Sequence, residues 1–318
     1  MDSKKEIKSQ IQKKLKEIAE LELRLKEATK NEDSLIELEK ENLQRSRTFN
    51  GLTARDWTLL SRSVWNDLSS SRSQKHLIHG ATFPKKLADR IIKMYSKEGD
   101  LVFDPFSGTG TTLYAARDNN RKSIGIELND DFYQHIESEI FLDSDLIKIY
   151  QGDCLNEIER VEDETIQLTF TSPPYADLLH KVREDREKRH KKSLIVNNNN
   201  STSKPYSDSE ADFGNMKLDL YFENIQKLMH KIYKKTKKNG YNIWVVKDFR
   251  DTINRVPFID LHSLVAKAGE QAGFLYHDLI IWDQNEQRSL VLLGYPSVFY
   301  VNQNHSYIVV LRKSEWKK

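Results

Sequence analysis

Between residues 100 and 175, short apolar runs alternate with amphipathic stretches, and each run stops at a polar residue. Leu101-Val102-Phe103 leads into Asp104, Lys122 to Ile126 into Glu127, Ile147 to Tyr150 into Gly152-Asp153, and Ile166, Leu168 and Phe170 into Thr171-Ser172. Continuous apolar runs of this length predict strands buried on both faces, joined by helical crossovers in a parallel sheet. Leu87, Ala88, Ile91, Ile92 and Met94 recur near the helical period, and Leu113 to Arg117 continues as a helix after a glycine turn. Downstream, the pattern predicts a helix over Leu220–Tyr233, a strand over Tyr241–Val246 and a helix over Leu261–Ala272 that Gly273 ends. Tyr276–Trp282 and Ser306–Leu311 read as two further strands, a terminal antiparallel pair. The expected class is α/β.

The N-terminal stretch has a different rhythm. Ile7, Ile11, Ile18, Leu21, Leu25, Ala28 and Leu35 alternate by threes and fours if Lys14 and Glu32 fill the two gaps, on a segment dense in Lys and Glu. That is a heptad seam, so residues 1–48 are expected to form a coiled coil or helical hairpin that docks a second copy or a partner protein. The plain alternative is a solvated single helix. Composition shifts near Arg45 to Thr53, after which Trp57, Leu59, Leu60, Val64, Trp65 and Leu68 announce a globular domain expected over residues 49–318.

Composition narrows the class. A chain of 318 residues, 38% of them hydrophobic, can bury a full α/β core. The single cysteine, Cys154, excludes an intrachain disulfide and a cysteine-rich metal site, and no metal is expected. No apolar run approaches the roughly 20 residues of a membrane span, so the expectation is a soluble, cytoplasmic protein. A net charge of +2 does not diagnose a nucleic-acid partner by itself.

Candidate chemistry concentrates at the strand ends. Asp104-Pro105-Phe106-Ser107-Gly108-Thr109-Gly110-Thr111-Thr112 joins a strand to a helix N-terminus, and its glycines let a ligand approach the backbone closely. A dinucleotide fingerprint needs a third glycine where Leu113 stands, and a phosphate loop needs Gly-Lys-Ser/Thr; neither is present. Asp104 would repel a diphosphate, so the corner favours a cofactor with a cationic part and no phosphates. Glu127 stands where a carboxylate accepts hydrogen bonds from ribose hydroxyls. In a parallel sheet these polar ends share one edge with Thr171-Ser172-Pro173-Pro174-Tyr175. There, two prolines stiffen the turn that presents Ser172 and Tyr175, a combination able to grip a flat, amine-bearing ring. Each carboxylate alone is equally readable as a helix cap, Asp153 especially.

With these residues in place, the sequence resembles the S-adenosylmethionine-dependent amino-methyltransferases that make N4-methylcytosine or N6-methyladenine in DNA, from about Trp57 to Arg312. Asp104 to Thr112 resembles the family's glycine motif, Gly125-Ile126-Glu127 its ribose-binding strand end, and Thr171 to Tyr175 its catalytic (D/N/S)-P-P-(Y/F/W) box. His79 to Pro84 resembles the segment that precedes the glycine motif, and His305 to Val310 the closing strand. The resemblance implies a Rossmann-like, seven-stranded, mostly parallel methyltransferase sheet with helices on both faces. It implies S-adenosylmethionine held by Phe83, Pro84, Asp104, Phe106, Gly108, Gly110, Thr111, Thr112, Glu127, Asp153 and Thr171, with Phe106 or Ile126 as an apolar wall for the adenine. It places catalysis on Ser172, Pro173, Pro174 and Tyr175, acting on a base flipped out of double-stranded DNA. Ser in the box tends to accompany cytosine N4 and Asp adenine N6, so cytosine is the favoured target. A C5-methyltransferase would need a nucleophilic cysteine beside prolines, and Cys154 follows Gly-Asp instead.

A low-apolar insertion at about 176–215 carries Lys181, Arg183, Arg186, Lys188 and Arg189, expected on the DNA backbone, before an asparagine-serine tract. Lys247 and Arg250 follow a strand at the functional edge, and Arg288 lies in a second candidate DNA-facing loop. The chain ends soon after Arg312, where relatives with this motif order often carry a recognition domain. The expected role is modification of DNA in a restriction, phage or regulatory system, at the nucleoid. The alternatives are N6-adenine methylation, methylation of RNA or of a protein glutamine, and a nucleic-acid-binding scaffold with an inactive transferase domain.

Overall fold

A computed structural model describes residues 2–28, 40, 43, 47–68, 83–140, 145–175, 209–251, 256–287 and 298–314. The chain divides into two compact units, residues 1–56 and 57–318.

In the first unit, α1 (Asp2–Ala28) is a single long helix. Ile7, Ile11, Leu15, Ile18 and Leu21 are each about half exposed or more along it. The expected coiled coil or hairpin is represented by this one helix, because residues 29–39 lie outside the described residues. Near the unit's end, Asp56 Oδ2 accepts hydrogen bonds from Thr53 N (3.1 Å) and Thr53 Oγ1 (2.8 Å).

The second unit is built on one sheet. After helix α2 (Ala54–Leu60) and the short strand β1 (Val64–Trp65) come α3 (Lys85–Tyr95), β2 (Leu101–Asp104), α4 (Thr111–Asp118) and β3 (Lys122–Glu127). Helix α5 (Asp130–Ile140), β4 (Ile147–Gln151), the one-turn α6 (Cys154–Glu157) and β5 (Ile166–Thr171) follow. The second half holds α7 (Leu218–Lys235), β6 (Thr236–Val246), β7 (Phe249–Asp251), β8 (Val256–Ile259), α8 (Leu261–Ala272), β9 (Leu275–Asp283) and β10 (His305–Arg312). The order across the sheet is β1-β9-β10-β6-β5-β2-β3-β4. Strands β4, β3, β2, β5 and β6 are parallel, and β10 runs antiparallel between β6 and β9.

Eight strands stand where seven were expected. The addition is the two-residue β1, which pairs in parallel with β9 at the sheet's edge and is too short to show a periodic pattern. Strand β6 also begins five residues before the predicted Tyr241, because residues 237–240 form an irregularity between the Ile166↔Thr236 and Leu168↔Tyr241 pairings. Asn239, in the left-handed region at φ 64°, is part of it. The separate β7–β8 hairpin was not legible, since three- and four-residue strands fall below any recognisable alternation.

Burial explains the layers. Helix α3 buries Leu87, Ala88, Ile91, Ile92 and Met94, the positions its periodicity selects, and α8 buries Leu261, Val265, Ala266 and Ala272. The central strands are buried along nearly their whole length, as strands covered on both faces must be. From β2 the chain steps to β3 and β4 on one side, and the β4→β5 connection then crosses back to the other side of β2. That reversal is a topological switch point, where crevices open at the carboxyl ends of parallel strands. Asp104 and Ser172 sit at the two strand ends that flank it.

Candidate active site

The turn after β2 is set by its glycines. Gly108 (φ 53°) and Gly110 (φ 80°) occupy the left-handed region that side chains disfavour, and Gly110 precedes the first residue of α4. A Cβ on Gly110 would also meet the Tyr114 ring at 3.0 Å. The turn lies on β3 at Gly125, where a Cβ would come 2.3 Å from Ser107 Oγ, and Ser107 N donates to the Ile126 carbonyl at 3.0 Å. The packing therefore brings the β2 and β3 ends together.

Three carboxylates are arranged on that edge. Asp104 is buried; its Oδ1 accepts from Thr171 Oγ1 at 2.6 Å and from Phe106 N at 3.0 Å. Burial pushes its pKa up to about 6, against the opposing hydrogen bonds from Thr171, Thr112 and Phe106. Glu127 clamps two backbone amides, Oε2 accepting from Gly108 N (2.6 Å) and Oε1 from Asn129 N (2.8 Å). Burial raises its pKa to about 7 although both amides favour the anion. Asp153 caps α6, Oδ1 accepting from Leu155 N at 2.9 Å and Oδ2 from Asn156 Nδ2 at 3.1 Å. For Asp153 the cap is real, and the residue faces the cavity as well.

All three line a single cavity of about 990 Å³, open solvent at its mouth included, together with Phe83, Phe106, Gly108, Thr111 and the full Ser172-Pro173-Pro174-Tyr175 turn. The other expected cofactor residues are not part of this lining. Thr171 and Thr112 are buried, Thr112 Oγ1 lying 3.3 Å from the Phe170 carbonyl, Pro84 precedes α3, and Gly110 closes the turn. Ile126 and Cys154 also line the cavity, and burial holds the Cys154 thiol well above its ordinary pKa, hence protonated. Tyr175 meets Phe249 of β7 edge to face, ring centroids 6.2 Å apart.

Sequence reading missed one wall. Ala211, Asp212 and Phe213, near the end of the low-apolar insertion, line the cavity, and Phe213 packs edge to face on Phe106 at 5.1 Å. Asp212 Oδ1 accepts from Gly214 N at 2.8 Å and so fixes the turn. The available signal was an apolar residue behind an Asp at the end of a polar stretch, which is weak because such pairs cap helices everywhere.

The expected DNA contacts divide. Lys181, Arg183, Arg186, Lys188, Arg189 and Arg288 lie outside the described residues, as does His79. Lys247 donates to the Gln303 carbonyl, and the Arg250 guanidinium stands 4.9 Å over the Tyr300 ring; neither residue lines the cavity. Among the described residues one set of metal-capable side chains converges: Asp248, Asp260 and His262. It is satisfied internally, since His262 Nδ1 lies 2.9 Å from Asp248 Oδ2 and from Asp260 Oδ1, and it is outside the cavity lining. No helix among the described residues is long and apolar enough to cross a membrane.

A mostly parallel sheet whose last strand, β10, runs antiparallel, with a glycine turn and acidic strand ends around one cavity, defines an α/β methyltransferase fold. More narrowly, the chain belongs to the DNA methylase family of N6- and N4-methyltransferases, whose profile matches residues 2–138 and 166–318. Methyltransferases of this family use S-adenosylmethionine. The chain is 49% identical over 81 residues to the type II methyltransferase M.MthZI of Methanothermobacter thermautotrophicus, covering 24% of this chain and 23% of that protein. It is 54% identical over 54 residues to the orphan methyltransferase M.BamHII of Bacillus amyloliquefaciens, covering 17% and 20%. The matched stretches thus span less than a quarter of either relative. Among solved structures, TrmN from Thermus thermophilus superposes with a TM-score of 0.44 at 13% identity, over 75% of this chain and 52% of that one.

Proposed function

We propose that this chain transfers a methyl group from S-adenosylmethionine to the exocyclic amine of a base flipped out of double-stranded DNA, cytosine N4 in preference to adenine N6. The reading is carried by one observation: the Ser172-Pro173-Pro174-Tyr175 turn and the acidic ends of β2, β3 and β4 line the same cavity.

The residues present fit the cofactor. S-adenosylmethionine, when bound, supplies an electrophilic methyl group on a cationic sulfonium. Among the described residues the cavity offers carboxylates and a glycine turn, and no lysine or arginine lines it for a phosphate. Asp104 holds the cationic amino-acid end, Glu127 accepts from the ribose hydroxyls, and Asp153 takes the adenine amine, with Phe106 or Ile126 as the apolar wall.

The target amine is conjugated into its ring and is a poor nucleophile. Ser172 and the Pro173 carbonyl accept hydrogen bonds from its two N–H groups, which localises the nitrogen lone pair towards the methyl group. Tyr175 stacks on the extruded base. Ser172 and the Pro173 carbonyl would hold the amine towards a bound S-adenosylmethionine, whose methyl group would pass directly to the nitrogen as one amine proton is given up to solvent, so no enzyme nucleophile is needed. The buried, protonated Cys154 accords with that. Ser172, a neutral acceptor in place of an aspartate, tilts the choice to cytosine by family resemblance.

On this reading the DNA backbone is met by Lys181, Arg183, Arg186, Lys188, Arg189, Lys247, Arg250 and Arg288, in the cytoplasm at the nucleoid, and α1 recruits a second copy or a partner. The test is incubation of DNA with methyl-labelled S-adenosylmethionine, digestion to nucleosides and mass identification. N4-methylcytosine is expected. N6-methyladenine alone would overturn the base assignment, and no labelled nucleoside from any duplex would overturn the activity.

A further inference from the structure

Tyr221, on the first turns of α7, carries a polar atom that the fold leaves unused. The residue is 1% exposed, and its hydroxyl has no hydrogen-bond partner. Buried hydroxyls are almost always paired, because water is given up on burial and only a hydrogen bond replaces it. An orphan is therefore a place to ask what partner arrives later.

Its neighbours are residues of the cavity. The Tyr221 ring packs edge to face on Phe213 at 6.0 Å, and Phe213 lines the cavity. Tyr175, the stacking aromatic of the catalytic turn, packs against the same core cluster and interacts electrostatically with Tyr221. Phe222 braces Tyr221 from the other side, with ring centroids 5.4 Å apart. Tyr221 thus belongs to the core cluster that holds Phe213 and against which Tyr175 packs, and both of those aromatic residues line the cavity.

We propose that the Tyr221 hydroxyl is the donor that reads the flipped base, giving a hydrogen bond to a ring nitrogen or carbonyl beside the reacting amine once the Tyr175 ring turns to stack on the base. Ser172 and the Pro173 carbonyl, as acceptors, recognise only the amine, and any amine-bearing base satisfies them. A donor is required to recognise the neighbouring acceptor on the Watson–Crick edge, and Tyr221, packed against the cavity-lining Phe213, carries an unengaged one. The inference rests on the transferase reading above.

Tyr221→Phe is the discriminating variant, since it deletes the hydroxyl and keeps the ring packed. Expected are an unchanged or higher melting temperature, S-adenosylmethionine affinity within twofold of wild type, and kcat/KM on duplex DNA reduced about tenfold, as the loss of one hydrogen bond predicts. Wild-type turnover in Tyr221→Phe, or a lower melting temperature that reveals an internal partner, would overturn the inference alone. Absence of methyl transfer by the wild-type protein would overturn the transferase reading, and this inference with it.

Discussion

Thr171 Oγ1 donates a 2.6 Å hydrogen bond to Asp104 Oδ1, tying the end of the strand that carries the Ser-Pro-Pro-Tyr turn to the end of the strand that carries the glycine turn. Both residues are buried, and their strands β5 and β2 are parallel neighbours in the sheet. The bond also opposes the burial that raises the pKa of Asp104. Replacing Thr171 by Val, close in shape but without the hydroxyl, leaves a buried carboxylate short of a donor. Stability is expected to fall by about 1–3 kcal/mol, and the Asp104 pKa to rise further. Chemical denaturation and cofactor titration at neutral pH check both, and an unchanged cofactor affinity would separate the two strand ends functionally.

Cofactor binding should depend on pH in a defined direction. Asp104 titrates at about 6 and Glu127 at about 7 in the free protein, both raised by burial. A raised carboxyl pKa means that the folded protein binds the proton more tightly than the unfolded chain. The free protein therefore loses stability as pH rises from the ordinary carboxylate range through 6 to 7. A cationic cofactor favours the anions, so its affinity rises over the same window and binding releases protons. Melting curves with and without S-adenosylmethionine between pH 5 and 8 should diverge as pH rises; parallel curves would contradict this.

Asp104 and Tyr175 are expected to fail differently. Asp104→Ala should weaken cofactor binding, while Tyr175→Ala should spare it and lower turnover roughly 10- to 100-fold, the scale of one base–aromatic stacking interaction. Calorimetry and single-turnover methylation separate the roles, and equal loss of cofactor affinity in both variants would refute the division.

Gly125 tests the seat of the glycine turn. An alanine Cβ there would come 2.3 Å from Ser107 Oγ, 2.8 Å from Leu113 Cδ1 and 2.9 Å from Ile149 Cδ1. Overpacking of this kind costs about 1–3 kcal/mol. The melting temperature of Gly125→Ala should fall, and cofactor affinity with it as the turn is pushed off β3.

Neutralising Lys181, Arg183, Arg186, Lys188 and Arg189 to glutamine should flatten the dependence of DNA affinity on salt, since each lost phosphate contact reduces counterion release. A salt slope equal to that of wild type would remove this segment from the DNA interface.

Local pattern alone determined much of this protein. Apolar runs ending in Asp104, Glu127 and Thr171 read as strands because a doubly covered strand must be apolar throughout, and helix α8 ended where Gly273 supplies a left-handed residue (φ 109°). The Ser172-Pro173-Pro174-Tyr175 turn and the acidic strand ends were legible as motifs because each is a contiguous stretch recognisable without distant residues. Tertiary structure alone decided the remainder. It converted separate motifs into one cavity, since strand order is a property of crossovers and only β2 lying between β3 and β5 brings Asp104 to Thr171. It recruited Asp212 and Phe213 from the insertion, added β1 to the sheet's edge, and paired Phe249 with Tyr175 through a hairpin too short to have a period. It also left the Tyr221 hydroxyl unpaired, which follows from how the chain packs around that oxygen and from no local feature of the residues that carry it.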